Sequence, residues 1–305
     1  MHLRRGFTII EVMLFLGISG FLIIGLMVGT SATIARQRYN DSVEDLAEFF
    51  RREYAAAINI QNSRTDTVDN RSCNNDSTSN NDEDGGVFRG RSGCLIYGRL
   101  IVIGEKADSS NQDERDAIYS YDVIGRELNE KEKSRTISLP EALKLASVNV
   151  LVQSSPRNPA GCTFQPINQS RYSPQWLATI ENTTTGRLRA SILIVRSPMN
   201  GTVHTLVLKG TALQVQNAAT YPCTSNVAKN LLPNVISNFS FAPDTTTPDT
   251  AIDLCVGSDD IFAFSGRRRN VRILRDGHNS SAVEIVSQDN VFDKTTNPRG
   301  NRCRE

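Results

Sequence analysis

"RRGFTIIEVML", residues 4–14, decides how the rest of the chain is read. Two arginines and a glycine enter a long apolar run, and one carboxylate, Glu11, stands near its start. From Phe7 to Ala35 Glu11 is the only ionisable side chain in 29 residues, whereas a helix crosses a bilayer in about 20. A glutamate inside such a helix costs roughly 2.5 kcal/mol or more at the bilayer centre, so a use for it is expected. His2, Arg4 and Arg5 precede the run, and by the positive-inside rule they leave the N-terminus in the cytoplasm and send the remainder out. A secretory signal peptide has an apolar core of about 7–15 residues and a small-residue cleavage site. This run is longer and passes straight into an amphipathic pattern, which predicts a retained membrane segment.

Beyond Ala35, Tyr39, Val43, Leu46, Phe50, Tyr54 and Ile58 recur at spacings of three and four. Arg36, Arg38, Asp41, Glu44, Glu48, Arg51 and Arg52 stand between or before them, as on a helix with one apolar stripe and a charged opposite face. The first proline is Pro140, so one helix is predicted from about Phe7 to about Gln61, on the order of 80 Å long. Its first half would lie in lipid and its second would dock on a globular part. Gly17, Gly20, Gly25 and Gly29 fall in the apolar half. They fit ordinary glycine enrichment in transmembrane helices, or else close helix packing and local unwinding within an assembly.

The basic leader, Gly6, Phe7, the apolar run and Glu11 together resemble the N-terminal segment of type IV pilins and type II secretion pseudopilins. The likeness is strong over the first 35 residues and is one of pattern over the next 25. It implies that a prepilin peptidase cuts between Gly6 and Phe7 and that the new amino group of Phe7 is methylated. It further implies partners in other pilin or pseudopilin subunits and an inner-membrane assembly platform. In a family filament Glu11 would meet the α-ammonium of a neighbour's Phe7 within a bundle of apolar helices. Opposite charges about 4 Å apart at intermediate dielectric attract by several kcal/mol, while an unpaired carboxylate there stays desolvated or takes up a proton. Glu11 would thereby set the register of subunit addition. In a plain anchor it would instead snorkel to the cytoplasmic interface. One departure stands out: the apolar half has no proline, where major pilins often carry one.

The remainder is more polar. The chain's 305 residues have 39% hydrophobic content, densest at the N-terminus, and a formal net charge of +1, which gives no global pull toward nucleic acid or anionic membranes. Residues 59–93, "NIQNSRTDTVDNRSCNNDSTSNNDEDGGVFRGRSG", nearly lack large apolar side chains and cannot bury enough surface to fold alone. The implied organisation is a leader at 1–6, an assembly helix at 7–35, its amphipathic continuation at 36–61, a polar loop at 62–93 and a β-rich head at 94–305. Within the loop, Asp82, Glu83 and Asp84 fit a solvated acidic patch or a calcium contact, without EF-hand spacing. Strand-like runs occur at 94–104, 116–125, 147–154, 189–197, 202–210, 235–241, 260–265, 270–276 and 281–287. The turn signal "PMNG" makes 189–210 a hairpin, and Pro140 suits the first turn of a short helix. The fold class expected is α+β: a long N-terminal helix followed by an antiparallel β-sheet domain.

Six cysteines, Cys73, Cys94, Cys162, Cys223, Cys255 and Cys303, all lie beyond the apolar run, and none forms a Cys-x-x-Cys pair. An even number of widely spaced cysteines fits disulfides made outside the cytoplasm, with about 15 pairings open. Cys73 and Cys94 flank the most polar section of the loop, and sequential pairing is the expectation. The pilin resemblance suggests a disulfide-bounded C-terminal region, which Cys255 and Cys303 enclose; closing such a loop contributes about 4 kcal/mol in the chain-entropy model.

No nucleophile elbow, phosphate loop or His-Glu-x-x-His motif occurs, and no enzyme, cofactor or metal site is expected. His204 falls in an expected strand as a packed or surface side chain, and Trp176 is a core residue or an adhesion contact. Arg267, Arg268, Arg269, Arg272 and Arg275 cluster around one strand. They fit a solvated, aggregation-resistant edge or phosphate contacts to DNA. The function expected is that of a filament subunit, a minor pilin or pseudopilin in the cytoplasmic membrane and then in an extracellular filament. The 244 residues after Gln61 make a bulky head, which suits a sparingly used subunit. The alternatives are an extracytoplasmic module with an uncleaved anchor, binding a cell-surface ligand, and a single-pass hydrolase with a fold-assembled site.

Overall fold

The computed structural model describes residues 8–59, 94–106, 110, 114, 117–146, 148–150, 152–158, 161–166, 170–173, 178–182, 186–187, 189–209, 212–213, 239, 251–258, 269–274, 277–287 and 303. A single helix, α1 (Ile9–Ile58), takes up the first part. The absence of proline and the 3.6-residue pattern let it run unbroken from the apolar to the amphipathic half. Thr8 caps its start, and the Asn59 N–H closes its end on the Ala55 carbonyl at 3.0 Å.

Among the described residues beyond α1, antiparallel sheets predominate, so the fold is α+β. The first contains β1 (Cys94–Ile103), β2 (Ile118–Arg126), β3 (Asn149–Val150), β6 (Ser170–Tyr172), β9 (Ala190–Arg196) and β10 (Val203–Lys209), in the order β10-β9-β1-β2-β3, with β6 also on β2. The second contains β7 (Ala178–Asn182), β8 (Gly186–Arg187), β11 (Ala251–Ser258), β12 (Asn270–Leu274) and β13 (Val283–Val286), in the order β13-β12-β11-β7-β8. A separate hairpin joins β4 (Val152–Asn158) to β5 (Gly161–Pro166). Two short helices, α2 (Glu130–Lys133) and α3 (Leu139–Leu145), connect β2 to β3, and Pro140 stands in the first turn of α3.

Alternation along the first sheet sorts its side chains into two cores. Ile101, Ile103, Ile118, Ile192 and Ile194 face α1, together with Ile252, Leu254, Val271 and Ile273 of the second sheet. Leu100, Val102, Tyr119, Tyr121, Leu193 and Val195 point the other way, toward Leu143 and Ala146. The first sheet is therefore covered on both faces, and α1 packs against both sheets.

The β9–β10 hairpin forms where "PMNG" predicts it, with Gly201 at φ +74° in the loop. The expected run 147–154 divides between β3 and β4, which belong to different pairings. The central strand of the second sheet, β11, and the strands β5 to β8 were not predicted. Of the expected strands at 235–241 and 260–265, only Phe239, a buried residue, is among the described residues.

Candidate functional site

The first half of α1 is the candidate assembly surface. Ile9, Ile10, Met13, Leu14, Phe15, Leu16, Phe21, Leu22, Ile23, Ile24, Leu26 and Met27 are all exposed. No part of the most apolar stretch is buried against the rest of the chain, and the helix is long and apolar enough to cross a membrane. Two of its hydroxyls are satisfied internally: that of Thr30 donates to the Leu26 carbonyl at 2.9 Å and that of Thr33 to the Gly29 carbonyl at 3.0 Å. At Gly17, Gly20, Gly25 and Gly29 an added Cβ would meet nothing within 4 Å.

Glu11 lies in the first turn, where its N–H donates to the Thr8 carbonyl at 3.1 Å and reaches the Thr8 hydroxyl at 3.4 Å. A carboxylate there also complements the helix dipole. Gly6 and Phe7 lie outside the described residues.

The second half of α1 is held by shape and by polar anchors. Tyr39, Val43, Leu46, Ala47, Phe49, Phe50, Tyr54 and Ala57 are buried. The expected stripe is thus buried from Tyr39 to Tyr54, and its last member, Ile58, is 37% exposed. The Tyr39 hydroxyl donates to the Val256 carbonyl at 3.0 Å and accepts the Arg269 N–H at 2.7 Å, joining the helix to β11 and to the entry of β12. The Tyr54 hydroxyl meets the Thr205 hydroxyl at 2.7 Å, which donates to the Gly277 carbonyl at 2.8 Å. Burial pushes the Tyr54 phenol up to about 12, against the lowering effect of the Thr205 hydrogen bond.

One buried ion cluster was missed in the sequence reading. Glu53, 3% exposed, accepts the Ser120 hydroxyl at 2.6 Å and the Ser170 hydroxyl at 3.2 Å, and lies 3.5 Å from Arg99 Nε. The Arg99 Nη1 also sits against Asp122 Oδ1, across the β1–β2 ladder. Helical spacing carries a signal for it: Glu53 is seven residues from Leu46 and four from Phe49 and Ala57, on the apolar side.

The expected arginine patch does not stand as one exposed group. Arg272 is buried, with Nε 2.7 Å from Asp253 Oδ1, so its charge is held inside the second sheet. Its expected DNA contact is therefore corrected: a guanidinium committed to a buried carboxylate is not presented to a phosphate. Arg269 is half-buried; Arg267, Arg268 and Arg275 lie outside the described residues, as do Trp176 and the acidic run 82–84. His204 is half-exposed, bonded to the Thr202 hydroxyl at 2.8 Å and edge-on to His278 at 6.0 Å.

Cys255 and Cys303 are joined, with an S–S distance of 2.02 Å, across 48 residues. Cys73, Cys223 and the side chains of Cys94 and Cys162 lie outside the described residues.

Against protein-family models, curated proteins and solved structures, the chain finds no match.

Proposed function

We propose that the chain is a structural subunit, a minor pilin or pseudopilin, of a type IV pilus or type II secretion-like filament. A prepilin peptidase cuts between Gly6 and Phe7, the Phe7 amine is methylated, and α1 carries the subunit from the cytoplasmic membrane into the filament. The observation that supports this reading is an apolar half-helix that buries nothing in its own head and is entered by a lone carboxylate, Glu11. Such a surface needs lipid or other apolar helices around it. A plain anchor needs the apolar length but has no use for Glu11, whereas an assembly helix pairs it with a neighbour's Phe7 amine. The work of the protein in this reading is assembly rather than catalysis, and the large head suits a tip or priming position.

The N-terminal mass of the protein from its native envelope tests this. A chain beginning at N-methylated Phe7 is expected. A chain retaining Met1 through Gly6 would leave Glu11 without its partner amine and would favour a membrane-anchored binding or adhesion module.

A further inference from the structure

We propose that Asn200–Gly201, in the loop of the β9–β10 hairpin, is a self-modifying site that converts to aspartate and isoaspartate in the folded protein, driven by Thr202 and Arg196. The inference goes beyond the filament reading and does not depend on it.

This is the one Asn-Gly step in the 305 residues, and glycine, having no Cβ, lets another group approach its backbone closely. Asn200 is exposed, and Gly201 takes φ +74° in the loop. The Asn200 Oδ1 accepts the Thr202 N–H at 3.1 Å and the Thr202 hydroxyl at 2.8 Å. A side chain bonded two residues ahead is folded over the peptide bond that follows it, which turns Cγ toward the Gly201 nitrogen. The hydroxyl is fixed in direction: its proton goes to Asn200, so its oxygen accepts from His204 Nε2, 2.8 Å away. Arg196 adds a charge. It is half-buried, and no carboxylate pairs with it among the described residues. Its guanidinium lies over Gly201, where a Cβ would stand 2.8 Å from Nη2 and 3.0 Å from Nε.

The Gly201 nitrogen gives up its proton to solvent and bonds to Asn200 Cγ; the Cγ–Nδ2 bond breaks, and Nδ2 takes up a proton and leaves as ammonia. Water then opens the resulting succinimide. Cleavage of the new N–Cγ bond gives aspartate, and cleavage of the original peptide bond gives isoaspartate. Either way an amide becomes a carboxylate. The Thr202 donors sit on the oxygen that gains charge as the N–Cγ bond forms, and Arg196 lies beside the nitrogen that loses its proton. Donors and charges set in place beforehand lower such a barrier. One contact opposes the reaction: the Gly201 N–H donates to the Ser197 carbonyl at 3.0 Å, and a single exposed bond slows attack by about fivefold. The product carboxylate gains a charge-assisted partner in Arg196 that the amide lacks.

The test keeps the full-length protein folded in micelles at neutral pH, samples it over days, and weighs the peptide that spans the turn, with isoaspartate separated by chromatography. Expected is the amide-to-acid mass gain at Asn200, slowed about fivefold by Thr202→Val and restored by Thr202→Ser, which keeps the hydroxyl. Arg196→Gln leaves the bonds to Asn200 in place and should slow the gain by a similar factor, an independent check. Circular dichroism verifies that each chain is folded. Absence of conversion in the folded chain overturns the proposal. Equal rates in all four chains would mean that the dipeptide alone is labile and would overturn the roles of Thr202 and Arg196. Faster conversion in the folded Thr202→Val chain would mean that the turn protects Asn200, and overturns the proposal as well.

Discussion

Glu53 shows what a single side chain contributes to docking α1. Its carboxylate is out of water, held by the Ser120 and Ser170 hydroxyls and close to Arg99. Desolvation of the charges offsets much of their attraction, so the cluster adds little against an apolar replacement, but removal of one member is costly. Glu53→Ala should lower the unfolding free energy of the full chain in micelles by about 3 kcal/mol, read from denaturant midpoints. Glu53→Gln should cost less, because the amide still accepts a hydroxyl; equal losses would reject this account. Tyr54 adds a pH dependence. Its phenol titrates near 10 when unfolded and at about 12 in the fold, so the fold favours the neutral form. The stability so contributed is complete below pH 10 and is lost as pH rises from about 10 to about 12. Ultraviolet titration at phenolate wavelengths should show a component in that upper range that is lost in Tyr54→Phe. An unchanged Tyr54→Phe titration curve would refute the assignment.

At the scale of elements, β1 shows how closely backbones meet in the first sheet. A Cβ on Gly98 would stand 1.9 Å from the Ile194 carbonyl oxygen, at the point where the β1–β2 register shifts. Gly98→Ala must push β1 and β9 apart, costing on the order of 3 kcal/mol, measurable as a lowered melting temperature of the head. An unchanged melting temperature would mean that the strands give way freely. The strands β1, β2, β9, β10, β12 and β13 were legible because β-branched and aromatic residues cluster in them between turn signals. β11 was not, since "AIDLCVGS" carries Asp253 and Gly257 and reads as weak. Its acidic residue is accommodated by Arg272 and Asn270 on the paired strand, a compensation only pairing can supply. Arg272 was misread for the same reason: it looks exposed in a basic run until its carboxylate partner, Asp253, is known.

For the whole molecule, α1 divides into a half that the head needs and a half that it does not. Removal of residues 1–35 takes away exposed surface and should leave the head's unfolding transition within about 0.5 kcal/mol. Extending the deletion through Ile58 strips Phe50, Tyr54 and Leu46 from the core and should abolish cooperative unfolding. Calorimetry of the two truncated chains distinguishes these results, and a loss of the transition already at residue 35 would contradict the division. Hydrophobic periodicity, the missing proline and the run of apolar residues are local properties, so the sequence by itself determined the long helix, its two halves and the antiparallel character of the head. The strand order, the burial of Glu53 and Arg272 and the anchoring of Tyr39 and Tyr54 were decided only by the tertiary structure. Their partners lie from 19 to 230 residues away along the chain, and pairing over such separations depends on how the sheets close around the helix, which local pattern does not encode.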